Sequence, residues 1–110
     1  MEIKRGAVVT VALPGDFGKP RPAVVLRSDH FAAHQLVSLA PLTRFRRNAP
    51  LLRVDTAPST GNGLTAPSQA MIDALQSVRF RRIGRVIGQL AAADLRRIAR
   101  AVAVYLGFAD

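Results

Sequence analysis

The sequence predicts an α+β domain, with a helical segment packed on an antiparallel sheet. Three observations predict it. Between residues 5 and 78 the apolar residues alternate or form short Val- and Leu-rich blocks, the spacing of strands. Gly- and Pro-rich stretches separate those blocks. Beyond residue 80 the apolar period lengthens to that of a helix.

The elements follow in order. Residues 5–13 (Arg-Gly-Ala-Val-Val-Thr-Val-Ala-Leu) read as the first strand. Residues 14–22 hold Gly15, Gly18, Pro20 and Pro22 and form a loop. Residues 22–28 run Pro-Ala-Val-Val-Leu-Arg-Ser, continuously apolar in the middle, as in a central strand. Residues 29–35 suit one helical turn with Asp29 as its cap. Residues 36–43 form a third strand ending at Thr43, followed by a basic loop over 44–48. A fourth strand covers 50–55, and 56–67 is a long Pro/Ser/Thr/Gly loop. Residues 68–78 alternate as a fifth strand, with Ala70, Ile72 and Ala74 on one face and Met71, Asp73 and Leu75 on the other.

Ile83, Val86, Ile87 and Leu90 fit helical spacing. Leu95, Ile98, Val102 and Tyr105 or Leu106 form a second such stripe, with Arg96, Arg97 and Arg100 away from it. Asp94 falls in the first turn of that helix, where the dipole favours a carboxylate, and Gly107 ends it. With no internal repeat and no linker, 1–110 reads as a single domain. A chain of this length buries about 65% of its unfolded surface. Without Trp, and with one Tyr, its core is expected to be aliphatic, built from Val, Leu, Ile and Ala with five Phe.

Charge narrows the function. Sixteen basic residues against seven acidic give +9, and fourteen of the sixteen are Arg. Arg grips phosphate bidentately and stacks on bases, so the balance points to a polyanionic partner. A GC-rich genome would explain Arg over Lys, but not the shortage of Asp and Glu. The absence of Cys excludes disulfides and thiolate metal sites. No signal pattern opens the chain and no apolar run approaches membrane-spanning length, so a cytoplasmic protein is expected.

Arg21 stands between Pro20 and Pro22, at the mouth of the second strand. Its backbone is stiff, which suits a fixed phosphate contact. The competing reading is an arginine that pins the loop. Arg44, Arg46 and Arg47 surround Phe45, and Arg79, Arg81, Arg82 and Arg85 surround Phe80. Cations interleaved with rings suit single-stranded RNA. Phe45, in a loop, is the stacking candidate; Phe80, beside a helix start, is expected in the core. His30 and His34 lack a third ligand at suggestive spacing and read as surface residues, so no metal is expected.

The chain also resembles a known family. The residues that carry the resemblance are Lys4-Arg5-Gly6, Lys19-Pro20-Arg21-Pro22, Leu39-Ala40-Pro41-Leu42-Thr43, Asn62-Gly63-Leu64, Pro67 through Asp73, Arg82-Ile83-Gly84, Ile87 through Leu90 and Leu106-Gly107-Phe108. In this order and spacing they resemble the MazF/PemK toxin endoribonucleases of type II toxin–antitoxin pairs. The resemblance implies a small SH3-like antiparallel barrel of about five strands with a C-terminal helix, as in the MazF and CcdB toxins. It implies a sequence-specific, metal-independent endoribonuclease acting on single-stranded RNA through 2′-hydroxyl attack, with no cofactor. It further implies a homodimer neutralised by an acidic antitoxin, with no membrane partner.

By position Arg21 matches the family's catalytic arginine and Thr43 its catalytic threonine. Thr43 is otherwise a packing or turn residue. Asp73 matches an acidic position used in some relatives for RNA binding or catalysis, and is otherwise solvent-facing or Arg-paired. Met71 and Gln76 depart from basic positions of some relatives. Lys19, Arg44, Phe45, Arg46, Arg47 and Arg79 are the expected RNA-binding residues. The alternatives are a gyrase-poisoning toxin of the CcdB type, whose C-terminal tail would be functional, and a nucleic-acid-binding module without activity.

Overall fold

The computed structural model describes residues 2–110. β1 (Ala7–Ala12) and β2 (Pro20–Val25) form a hairpin, and β3 (Leu36–Thr43) adds to β2. β5 (Ser68–Met71) and β6 (Gln76–Arg79) share the other edge of β3. β4 (Arg53–Thr56) pairs with β5, and β7 (Ile83–Gln89) pairs with β1. Every ladder is antiparallel, and α1 (Ala92–Tyr105) closes the order. The fold class is the expected one, with seven strands in place of five. Among the described residues no ladder joins β7 to β4 or β6, so the sheet is not a closed barrel. No helix among them is long and apolar enough to cross a membrane.

Two hydrophobic clusters lie on opposite faces of the central strands. Val9, Val11, Val25, Val37 and Leu39 meet Val78 of β6 and Ile83 of β7. This cluster draws on strands and Ile3 but not on α1, so the sheet must wrap over its own face. Val8, Val24, Ala40, Leu42, Val54 and Ile72 meet Leu90 and Ile98 on the other face. There Leu95 and Val102 pack from α1 beside Ile98, as the helical period predicts, and Ala101 joins them. Tyr105 and Leu106 fall outside it and are exposed.

Other expectations are corrected by the structure. Residues 83–89 are a strand, not a helix. Between the pairs Val11–Ile83 and Ala7–Gln89, β7 advances six residues while β1 advances four. The two extra residues are bulges, which shift the alternation twice and mimic a helical period. Ile83 turns to one cluster, Ile87 and Leu90 to the other. Phe80, expected in the core, lies on a 3-10 turn (Phe80–Arg82) and is exposed, as are Phe17, Phe31, Phe45 and Phe108, so the buried core holds no Phe.

Residues 68–78 are likewise not one strand. Three residues, Ile72–Ala74, loop out as a 3-10 turn between β5 and β6. Ile72 is buried in that turn and Asp73 is exposed. The cap of the turn at Asp29–Phe31 is Ser28, whose hydroxyl accepts from the His30 N–H at 3.2 Å. Asp29 instead accepts from the Arg5 N–H at 2.8 Å. His30 and His34 are exposed.

Arg27, just past β2, is 8% exposed. Its Nη1 donates to the carbonyls of His34 (3.1 Å) and Leu36 (3.3 Å), and its Nη2 to that of Ile3 (3.4 Å). It therefore ties the β2–β3 connection and the N-terminal segment together. Arg27→Ala strands three inward carbonyls and should lower unfolding stability by about 2 kcal/mol, read from denaturant titration.

Candidate functional site

The β1–β2 turn is built from backbone angles that few residues adopt. Gly15 (φ 89°), Phe17 (φ 54°) and Gly18 (φ 76°) all lie in the left-handed region. Glycine enters that region without strain; Phe17 is held there by its neighbours. The Asp16 N–H donates to the Leu13 carbonyl (3.2 Å) and the Lys19 N–H to the Asp16 carbonyl (2.9 Å). The chain then enters β2 with Arg21 opposite Val11, between two residues of fixed φ. Asp16 Oδ2 lies 3.7 Å from Arg21 Nε. That distance is an ion pair rather than a hydrogen bond. It orients the guanidinium from its Nε side, and no bond among the described residues occupies the terminal nitrogens.

Thr43 is the last residue of β3 and is half-buried. Its Oγ1 accepts from the Phe45 N–H at 3.1 Å. The hydroxyl thus shapes the turn and keeps its own proton to donate. The basic loop after it is pinned at two points. Arg53 Nη1 donates to the Phe45 carbonyl (3.4 Å). Gln69, opposite Thr43 in the ladder and 6% exposed, accepts from the Arg47 N–H (2.9 Å) and donates to the Arg47 carbonyl (3.0 Å). Its Nε2 also reaches Asp55 Oδ1 at 2.9 Å. The Gln69 amide stands in for a strand partner of Arg47. Sequence reasoning assigned Gln69 no role; the available signal was an amide in a buried strand, which must find partners.

One cleft of about 650 Å³ brings these elements together. Lys19, Arg21, Thr43, Arg44 and Phe45 line it, all five expected at the site, together with Asp16. Leu13, Leu42, Leu64 and Met71 give it apolar walls. Phe45 stands at the rim, 85% exposed. The other expected residues lie elsewhere. Arg46 is exposed outside the cleft. Arg47 lines an adjoining groove with Arg53, Arg97 and Arg100. Arg79 pairs with Leu36, at the far end of β3 from Thr43. Seven residues of strand make that roughly 23 Å. Asp73, expected as an acid or base, does not line the cleft, because the three-residue turn carries it out of the strand.

The cleft combines a fixed cation, a hydroxyl donor and a carboxylate with apolar walls. Such a set stabilises charge developing on a phosphoryl group. The Gln69 clamp generates a prediction. Gln69→Leu should leave the core folded while exposing the Arg47 amide, so its hydrogen-exchange protection falls selectively. Unchanged protection at Arg47 would show that Gln69 does not hold the loop.

The chain resembles known proteins along nearly its whole length. A probable endoribonuclease MazF of Mycolicibacterium smegmatis is 37% identical over 108 residues, covering 97% of this chain and 99% of the relative. The solved Mycobacterium tuberculosis toxin MazF-mt6 matches with a TM-score of 0.78 at 27% identity, covering 94% of this chain and 98% of its own. A mycobacterial endoribonuclease solved in complex with its cognate antitoxin shares the fold, with a TM-score of 0.80 at 24% identity and coverage of 96% and 95%. The model of the PemK-like, MazF-like toxins of type II toxin–antitoxin systems matches residues 4–106, and the chain belongs to that family.

Proposed function

We propose that this toxin is an endoribonuclease that cuts single-stranded RNA in the Arg21–Thr43 cleft, by 2′-hydroxyl attack and without a metal ion. The observation that carries the reading is that Arg21 and Asp16, from the β1–β2 connection, line one cleft with Thr43 from the end of β3. The terminal nitrogens of Arg21 bind two oxygens of the scissile phosphate. The Thr43 hydroxyl donates to the phosphoryl oxygen on which charge builds. Asp16 is the one carboxylate lining the cleft, which makes it the group placed to take the 2′-hydroxyl proton. The 2′-oxygen bonds to phosphorus, the bond to the 5′-oxygen breaks, and that oxygen takes a proton from water. The products are a 2′,3′-cyclic phosphate, which can open to a 3′-phosphate, and a 5′-hydroxyl.

Lys19, Arg44 and the Phe45 ring line the same cleft and hold the flanking strand by charge and stacking. The apolar walls give the site its sequence preference. A gyrase poison or an inactive binding module has no need of Arg21 and Thr43 in one cleft, and the match to a probable endoribonuclease favours the nuclease. Exposed Tyr105, Leu106 and Phe108 near the end of the chain support a homodimer. The +9 charge supports an acidic antitoxin that competes with RNA for the cleft.

Arg21→Ala should slow cleavage at least about a hundredfold. Thr43→Val should slow it with the fold retained. The assay is gel analysis of a long single-stranded RNA in EDTA. Wild-type rates in both folded variants would remove this cleft from the reaction, and loss of all cleavage in EDTA would remove its metal independence. A non-cleavable RNA should be displaced by the cognate antitoxin in a titration; simultaneous binding without mutual weakening would overturn the shared site.

A further inference from the structure

Arg21 stands on a wall between two hollows. The first is the cleft described above. The second, about 540 Å³, lies on the other side of Arg21 and is lined by Thr10, Thr65, Arg85, Val86 and Ile87. Arg21 and Thr65 line both. A phosphate held by Arg21 therefore has the cleft on one side and this hollow on the other.

The hollow is shaped by one of the bulges of β7. Between the pairs Val11–Ile83 and Val9–Val86, β7 carries one extra residue, at Gly84–Arg85. Thr10 Oγ1 accepts from the Arg85 N–H at 3.1 Å and fixes the bulge. A Cβ on Gly84 would come within 2.6 Å of the same hydroxyl, so glycine leaves this oxygen room to hold its place. Arg85 is exposed, lines the hollow and has no ion pair among the described residues. Val86, also exposed, supplies an apolar surface beside it.

We propose that this hollow is a second nucleotide subsite, holding the RNA on one side of the cut while the first cleft holds the other. Arg85 binds the phosphate next to the scissile one, and Val86 with Ile87 contacts the base or ribose between them. The occupant is single-stranded RNA, because the hollow joins the site of cleavage at Arg21 and carries cations without a carboxylate. This inference rests on the nuclease reading above.

The test is steady-state cleavage of short single-stranded RNAs whose bases vary on each side of the cut. Arg85→Ala should raise KM about tenfold with kcat nearly unchanged. It should also reduce the dependence of log affinity on log salt by about 0.7, the loss of one single-strand phosphate contact. Val86→Ser should alter base preference on one side of the cut only. Arg96→Ala, which removes an exposed charge from α1 outside both hollows, is the control and should match wild type. If Arg85→Ala behaves as Arg96→Ala, or Val86→Ser shifts neither side or both, the subsite is wrong while the nuclease stands. If wild type leaves these RNAs intact, or Arg21→Ala cuts them at the wild-type rate, the nuclease reading fails and the subsite with it.

Discussion

Val8 and Val9 of β1, and Val24 and Val25 of β2, are wholly buried, each pair pointing to opposite faces of one hairpin. Burying both faces is the constraint on which the other elements depend. A sheet exposed on one side would leave half of these valines in water, at about 1.5–3 kcal/mol for each side chain. One face is covered by the sheet itself, through Val78 of β6 and Ile83 of β7. The other is covered by α1, whose Ile98 is fully buried, and by Ile72 in the turn between β5 and β6. The bulges of β7 belong to the same solution, since bulges bend a strand and increase its twist.

The cleft begins where this double burial ends. Beyond Ala12 the sequence changes to Leu13-Pro14-Gly15-Asp16-Phe17-Gly18-Lys19, and the chain turns through left-handed angles before it re-enters the sheet. Arg21 is therefore carried on a strand whose inner residues cannot move. Thr43 lies at the end of β3, on the other side of β2 from β1, so one rigid sheet fixes both groups. A site on sheet elements holds its geometry better than one on free loops. Asp16 adds orientation rather than stability, because exposed ion pairs are worth no more than about 1 kcal/mol.

The sequence made some of this legible and hid the rest for identifiable reasons. β3 was readable to the residue, and the stripe of α1 was readable because Leu95, Ile98 and Val102 face a single surface. The core of β2 was readable as a continuous apolar run, because both its faces are covered. β7 was not, because two inserted residues change a period of two into one that imitates a helix. The turn at 72–74 was hidden by alternation that continues through it, although the three residues leave the ladder and Asp73 leaves the site. Arg21, Lys19, Arg44 and Phe45 were legible because stiff backbone, charge and an aromatic ring in a loop are local properties, whereas Thr43 was singled out only by the family resemblance. Gln69 bonds to Arg47, distant in sequence, and Arg85 sits on a bulge fixed by Thr10, neither of which a local pattern records.

The arginines divide along the same line. Arg27 is buried and spends its donors on carbonyls, and Arg97 is bonded to Asp94 and to the Asp55 carbonyl. Arg44, Arg47 and Arg85 have no ion pair among the described residues and line hollows. The loop that carries two of them is fixed in advance. Its backbone is held at Phe45 by Thr43 and Arg53, and at Arg47 by Gln69, while its charged ends remain in water. Ordering the backbone before the ligand arrives removes an entropy loss that binding would otherwise carry. On the proposed reading, guanidinium groups left in water on a fixed backbone can adjust to an irregular single strand, which a fully immobilised set of charges would fit in one conformation only.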